Sequence, residues 1–227
     1  MEKTKLVVFG DSWAQGSELR PGEKTFGQLV SMQLGFDYFT NYSEPSASIS
    51  HLIVQLKNFL INTSAVGKDP SKFIALFFLT TQDRSMNNVD GEWIFYSGGD
   101  YGISDDRQRA FAEASSKYYW KYFHNRPQQD IITNVTILSL QSICAHHGIQ
   151  DFYLAGWEQF NLWPEVSSSK IYKDGKIHCG NLFGIDINQE TLSRADKGPY
   201  LNPGGHPNQK GHQLIADQLV EWIVNEK

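Results

Sequence analysis

The run Phe73-Ile74-Ala75-Leu76-Phe77-Phe78-Leu79 constrains the fold of this chain more than any other segment. Its seven consecutive apolar side chains offer no polar face to water. Successive strand residues point to opposite faces, so both faces must be covered, as in a central parallel strand flanked by helices. Leu6-Val7-Val8-Phe9 reads as a second buried strand, and Phe36–Asn41 and Ile149–Ala155 as two more. Helical patterns alternate with them: Thr25–Leu34 closed by Gly35, Ser48–Leu60, Asp105–Phe123, Pro127–His147 with Gly148 past its end, and Asn208–Val224. Strands alternating with helices predict a three-layer α/β/α sandwich around a central, mostly parallel sheet. At 227 residues one core suffices. The expectation is a single domain over 1–227, with insertions at about 84–104 and 156–205.

In open sheets of this kind the ligand site lies beyond the carboxyl ends of the strands. Gly10-Asp11-Ser12 directly follows the first strand, so a tight turn brings a serine hydroxyl to that edge. Ser46, Gln82 and Trp157 follow later predicted strands and are expected at the same edge. Near the far end, Gly204-Gly205-His206-Pro207-Asn208 turns into the last helix and aims an imidazole at a neighbouring strand end. A strand-end serine and a late histidine are the moving parts of nucleophilic acyl transfer, because imidazole removes the proton that makes the hydroxyl a weak nucleophile. Ser12 is the candidate nucleophile and His206 the candidate general base. Asp11 reads as a support of the turn, and His212 as a structural residue of the last helix.

These segments resemble the SGNH/GDSL hydrolases, a family marked by a serine in Gly-Asp-Ser, a glycine, an asparagine, and a histidine in Asp-x-x-His. The resemblance runs from Phe9 to about Leu219. Ser12 and His206 match the first and last blocks. Asn41-Tyr42-Ser43-Glu44-Pro45-Ser46 is similar to the second, with Ser46 where glycine is usual. Leu79-Thr80-Thr81-Gln82-Asp83 is similar to the third, with Gln82 in place of asparagine. The resemblance implies the flavodoxin-like fold of that family and a serine ester hydrolase working through an acyl-serine. It also implies an oxyanion hole from the Ser12 and Ser46 backbone N–H groups and the Gln82 amide, with the Thr81 hydroxyl as a substitute for the last. Losing one such donor costs on the order of 3 kcal/mol in the transition state. A backbone donor survives replacement of glycine by serine where the dihedrals permit a side chain.

Three positions before His206, where the family carries aspartate, stands Pro203. The aspartate fixes the histidine tautomer and stabilises the imidazolium, and defeating it in a serine protease costs about 10⁴ in kcat. Asn202 is the neighbouring candidate to orient the ring, without supplying charge. A backbone carbonyl acceptor, Asp196 and Asp186 are alternatives. Because Ser46, Gln82 and Pro203 all depart from the pattern, a second reading stands beside the hydrolase: a degenerate domain that binds a glycan or protein partner without turnover.

Aromatic residues make up 13% of the chain, and Trp93 and Trp157 fall in the two insertions beside the expected site. Rings exposed there stack on the apolar faces of sugars, so the expected substrate is an acylated carbohydrate or another small ester, and the expected activity that of an esterase or O-deacetylase. The same rings can instead pack beneath long loops. Arg84 stands at the expected rim, where a guanidinium can clamp a substrate carboxylate or phosphate, or form a structural ion pair. A net charge of -5 argues against nucleic-acid partners, and no apolar run approaches a membrane span. His146-His147 and His178-Cys179 are adjacent pairs without zinc-ligand spacing, so neither metal nor cofactor is expected. Two cysteines do not make a disulfide framework. Met1-Glu2-Lys3-Thr4-Lys5 leads straight into a strand without a secretory pattern, so the expected location is cytoplasmic, in a cellular enzyme or a phage protein released by lysis.

Overall fold

The computed structural model describes residues 5–80, 85–89, 92–96, 126–155, 160–172, 200–202 and 205–225. Strands β1 (Lys5–Phe9), β2 (Tyr38–Asn41), β3 (Phe73–Leu79), β6 (Gln150–Ala155) and β7 (Ile171–Tyr172) form one sheet in the order β2-β1-β3-β6-β7, and every neighbouring pair is parallel. β4 (Ser85–Val89) and β5 (Glu92–Tyr96) form a separate antiparallel hairpin. The helices are α1 (Ser12–Gln15), α2 (Phe26–Gln33), α3 (His51–Ala65), α4 (Arg126–His146) and α5 (Gln209–Asn225).

All seven residues of β3 are buried, and their alternation sorts the core into two halves. Ile74, Leu76 and Phe78 pack with Leu6 and Val8 of β1 against Phe26 and Val30 of α2 and Ile215, Leu219 and Ile223 of α5. Phe73, Ala75, Phe77 and Leu79 pack with Val7 and Phe9 against Leu52, Leu56 and Phe59 of α3 and Ile137, Leu140 and Cys144 of α4. The sheet is therefore the middle of three layers, as the apolar run requires. This strand order places the topological switch point between β1 and β3, where the chain reverses direction across the sheet and ligands of such folds bind.

Local chemistry fixes the helix that frames this crevice. Thr25 Oγ1 accepts from the Gln28 N–H at 3.2 Å while Gln28 Oε1 accepts from the Thr25 N–H at 2.9 Å, a reciprocal capping box that starts α2. Asn208 Oδ1 accepts from the N–H groups of Lys210 and Gly211 and so starts α5.

The structure extends the sequence reading in two places. The segment expected as a polar insertion contains the β4–β5 hairpin. The long segment from 156 contributes Ile171–Tyr172 as a fifth strand, parallel to β6. The helix expected over 105–123 lies outside the described residues.

Candidate active site

The Gly10-Asp11-Ser12 turn is held by hydrogen bonds to Gly10 and Asp11. The Gly10 N–H donates to Gln55 Oε1 at 2.9 Å, and Gln55 Nε2 donates back to the Gly10 carbonyl at 2.9 Å. The Glu44 N–H reaches the same carbonyl at 3.0 Å, docking the loop after β2 onto the turn. A Cβ at position 10 would stand 2.7 Å from Ala14 Cβ and 2.9 Å from Phe78 Cβ, which accounts for glycine there. Asp11, fully buried, caps α1: its Oδ1 accepts from the Trp13 N–H at 2.9 Å, and its Oδ2 accepts from the Thr80 hydroxyl at 2.8 Å. Thr80 follows β3, so this bond ties the two strand ends at the switch point together. Ser12 is the first residue of α1 and is only 7% exposed. The Trp13 ring stacks on Phe78 and anchors the helix from below. Asn41, at the end of β2, donates its amide to the Ala14 carbonyl at 2.9 Å and so closes the other end of α1.

Ser46 lies in that same loop after β2, with a left-handed φ of 61°. A side chain is disfavoured in this backbone region, where glycine is the usual occupant. Glycine adopts this backbone region without steric cost, and here a serine stands in it. The Ala47 N–H donates to the Glu44 carbonyl at 3.2 Å, and buried His51 engages the Glu44 carboxylate through Nε2 at 2.9 Å, fixing both ends of the loop.

His206 sits in a tight reversal ahead of α5. The Asn202 N–H donates to the His206 carbonyl at 2.8 Å, the Gly205 N–H to the Asn202 carbonyl at 2.9 Å, and Leu201 bridges Pro207. The ring Nδ1 lies 3.0 Å from Glu18 Oε2, and the His206 backbone N–H donates to the same oxygen at 3.2 Å. A carboxylate only accepts, so Nδ1 carries the proton and Nε2 is the acceptor nitrogen of the neutral ring. Asn202 does not hold the ring. Its amide donates to the Glu18 carbonyl at 3.2 Å and to the Pro207 carbonyl at 3.3 Å, so it clamps the two segments that the Glu18–His206 pair joins.

Glu18 reaches this position because α1 is short. Gly16 takes a left-handed conformation at its end, and the N–H groups of Gly16 and Ser17 both donate to the Ser12 carbonyl, at 3.1 and 3.0 Å. The chain reverses, and Glu18, itself at φ 68°, presents its carboxylate to the histidine loop. Nothing in the sequence pointed to this residue, which stands 188 positions from its partner. Thr80 and Gln55 were missed for the same reason: their bonds to Asp11 and Gly10 span 69 and 45 positions. Among the described residues no hydrogen bond joins the Ser12 hydroxyl to the His206 ring. Catalytic hydrogen bonds are often long before substrate binds.

His212, on α5, is buried against α2. Its Nδ1 accepts from the Phe26 N–H at 3.0 Å and its ring stacks on Phe26. Burial, and secondarily the nearby His206, lower its pKa from 6.5 to about 4, so it is neutral and structural. Of the other residues singled out in the sequence, Trp93 lies on β5 opposite Asn88, while Gln82, Arg84 and Trp157 lie outside the described residues, as do Thr81 and Pro203. Among the described residues no three His, Cys, Asp or Glu side chains gather as a metal site, and no helix is long and apolar enough to cross a membrane.

No family model matches the chain, and no curated protein matches it in sequence. Solved structures do match it across nearly its whole length. The psychrotrophic esterase EstA from Pseudoalteromonas sp. aligns over 98% of this chain and 97% of its own, with a TM-score of 0.53 and 11% identity. TesA aligns over 98% and 99%, with a TM-score of 0.53 and 12% identity. A GDSL-like lipase from Parabacteroides merdae aligns over 100% and 97%, with a TM-score of 0.51 and 10% identity. This chain has the fold of the SGNH/GDSL esterases and acylhydrolases. At such identities the likeness is one of fold, and the chemistry must be argued from the side chains.

Proposed function

We propose that the chain is a serine ester hydrolase, with Ser12 as nucleophile and His206 as general base. The observation that carries this reading is the pairing of His206 Nδ1 with a carboxylate six residues beyond Ser12, which leaves Nε2 as the basic nitrogen. In the reaction, the Ser12 proton passes to His206 Nε2 as Oγ bonds to the acyl carbon, and the carbonyl electron pair moves onto oxygen. Collapse of the tetrahedral intermediate breaks the ester bond, and the departing alcohol oxygen takes the proton from Nε2. Water then repeats the sequence on the acyl-serine, releasing the carboxylic acid and restoring Ser12. The Ser12 and Ser46 backbone N–H groups and the Gln82 amide are the proposed oxyanion donors.

The proposed substrate is an acylated carbohydrate or another small ester. The reading is supported by the aromatic residues Trp93 and Trp157 in the two segments following β3 and β6, with Arg84 between β3 and the hairpin. A fluorophosphonate probe and an aryl acetate test the chemistry. Wild type should label at Ser12 and hydrolyse the ester, and Ser12→Ala should do neither while keeping its fold. Hydrolysis retained in Ser12→Ala removes the nucleophile assignment. On the finer point, acetylated oligosaccharides should exceed the aryl acetate in kcat/KM, and Trp157→Ala should erase that advantage. An equal loss on both substrates assigns Trp157 to packing.

A further inference from the structure

We infer that Glu18 is the positioning carboxylate of His206, taking over the task that the resemblance assigned to an aspartate three positions before the histidine. The inference rests on the hydrolase reading and adds the third member of its machinery. Three observations converge on it. The carboxylate oxygen Oε2 receives both the ring Nδ1, at 3.0 Å, and the His206 backbone N–H, at 3.2 Å, so ring and main chain are oriented by one atom. Glu18 adopts φ 68°, a conformation that a non-glycine residue keeps only when its surroundings hold it there. Asn202 provides that hold: its amide binds the Glu18 carbonyl from within the turn that carries His206. Nucleophile and carboxylate thus come from one short segment, Ser12 to Glu18, and the base alone arrives from the far end of the chain.

The geometry supplies what the aspartate supplies in serine hydrolases. A carboxylate on Nδ1 fixes the tautomer in which Nε2 can accept the serine proton, and it stabilises the imidazolium formed in the transition state. The side chains of Glu18 and His206 are 33% and 25% exposed, so water screens the pair. Its effect on rate should therefore fall below the roughly 10⁴ known for a buried aspartate.

The test is Glu18→Gln, which preserves an oxygen acceptor for the His206 N–H but removes the charge. Wild type should label at Ser12 with the fluorophosphonate. The variant should lose roughly 10²–10³ in kcat and in labelling rate, with KM within about threefold and its melting temperature little changed, because the loss falls on the transition state. A second measurement needs no variant: the side-chain nitrogen shifts of neutral His206, read by NMR in wild type, should report the Nδ1–H tautomer. If wild type labels at Ser12 while Glu18→Gln turns over within about threefold of it, or labels while His206 is the Nε2–H tautomer, the assignment to Glu18 is overturned and the hydrolase reading rests on the labelling alone. If wild type itself neither labels nor hydrolyses, both fall together.

Discussion

Acid should loosen this fold through His212, by an amount that follows from its burial. In the unfolded chain the imidazole titrates at the ordinary 6.5, and in the fold at about 4, because burial disfavours the charged ring and the nearby His206 adds to the effect. Between those values the unfolded chain binds a proton that the folded chain refuses, so stability falls as the pH falls. The contribution is complete above 6.5 and gone below about 4. Each pH unit inside the window corresponds to about 1.4 kcal/mol, giving about 3 kcal/mol in all and about 2 kcal/mol between pH 7.5 and 5. For a chain of this size that is about 4–8 °C in melting temperature. There is also a structural reason for the loss. A protonated ring carries hydrogen on both nitrogens, so Nδ1 can no longer accept from the Phe26 N–H in the first turn of α2. Denaturant unfolding of wild type and His212→Asn across this range is the assay, the asparagine placing an oxygen near the position of Nδ1. The variant should start less stable, having lost the stacked ring, and should lose about 2 kcal/mol less on acidification. Parallel pH profiles for the two proteins would refute the assignment of this window to His212.

Gln55→Leu should destabilise the fold by about 1–3 kcal/mol in chemical denaturation, since it leaves the Gly10 N–H buried without its acceptor, and should slow Ser12 labelling as the turn relaxes. Lys170→Met should cost a comparable 1–3 kcal/mol or so, because Asp151 is 1% exposed and would keep the Tyr153 hydroxyl as its side-chain partner among the described residues; a loss of less than about 0.5 kcal/mol would show the buried carboxylate to be satisfied otherwise. Ser46→Gly should leave ester hydrolysis unchanged and shift stability by no more than about 1 kcal/mol, because relief at φ 61° opposes the greater freedom of glycine in the unfolded chain. A large fall in kcat would mean that the Ser46 side chain, rather than its backbone N–H, acts on substrate.

Most of the framework was legible because burial and period coincide. The continuous run at 73–79 marked a strand covered on both faces, and β3 occupies those residues. Proline near the start and glycine past the end bracketed α4 to within a residue. Where period and burial part, the reading slipped. α3 was expected to end at Leu60 but runs to Ala65, because its last turn buries only Thr63 and so carries no apolar signal. Its predicted start fell three residues early, because Ile49 is buried in a turn rather than in the helix. A two-residue strand such as β7 has no period to read at all. The polar contacts of the site were the least visible part. Asp11–Thr80, Gly10–Gln55 and Glu18–His206 are each created by bringing distant segments to one sheet edge, and no local pattern encodes them.

The reading of this chain as a binding domain without turnover rested on three departures from the family pattern, and the structure bears on them unequally. A proline three positions before the histidine removes the customary carboxylate, yet the histidine Nδ1 has a carboxylate at 3.0 Å from another part of the chain. Once Glu18 occupies that side of the ring, position 203 has no acid to supply, and proline there is compatible with a working base. A serine in place of glycine in the second block would argue against an oxyanion donor if the backbone had moved to suit a side chain. Instead Ser46 keeps the left-handed backbone that glycine adopts without cost. Gln82 retains the amide group of the asparagine it replaces, one methylene further out. On the proposed hydrolase reading both left-handed residues have a use: Ser46, in the loop docked onto Gly10, would place an oxyanion donor, and Glu18, tied to the histidine turn, would place a carboxylate.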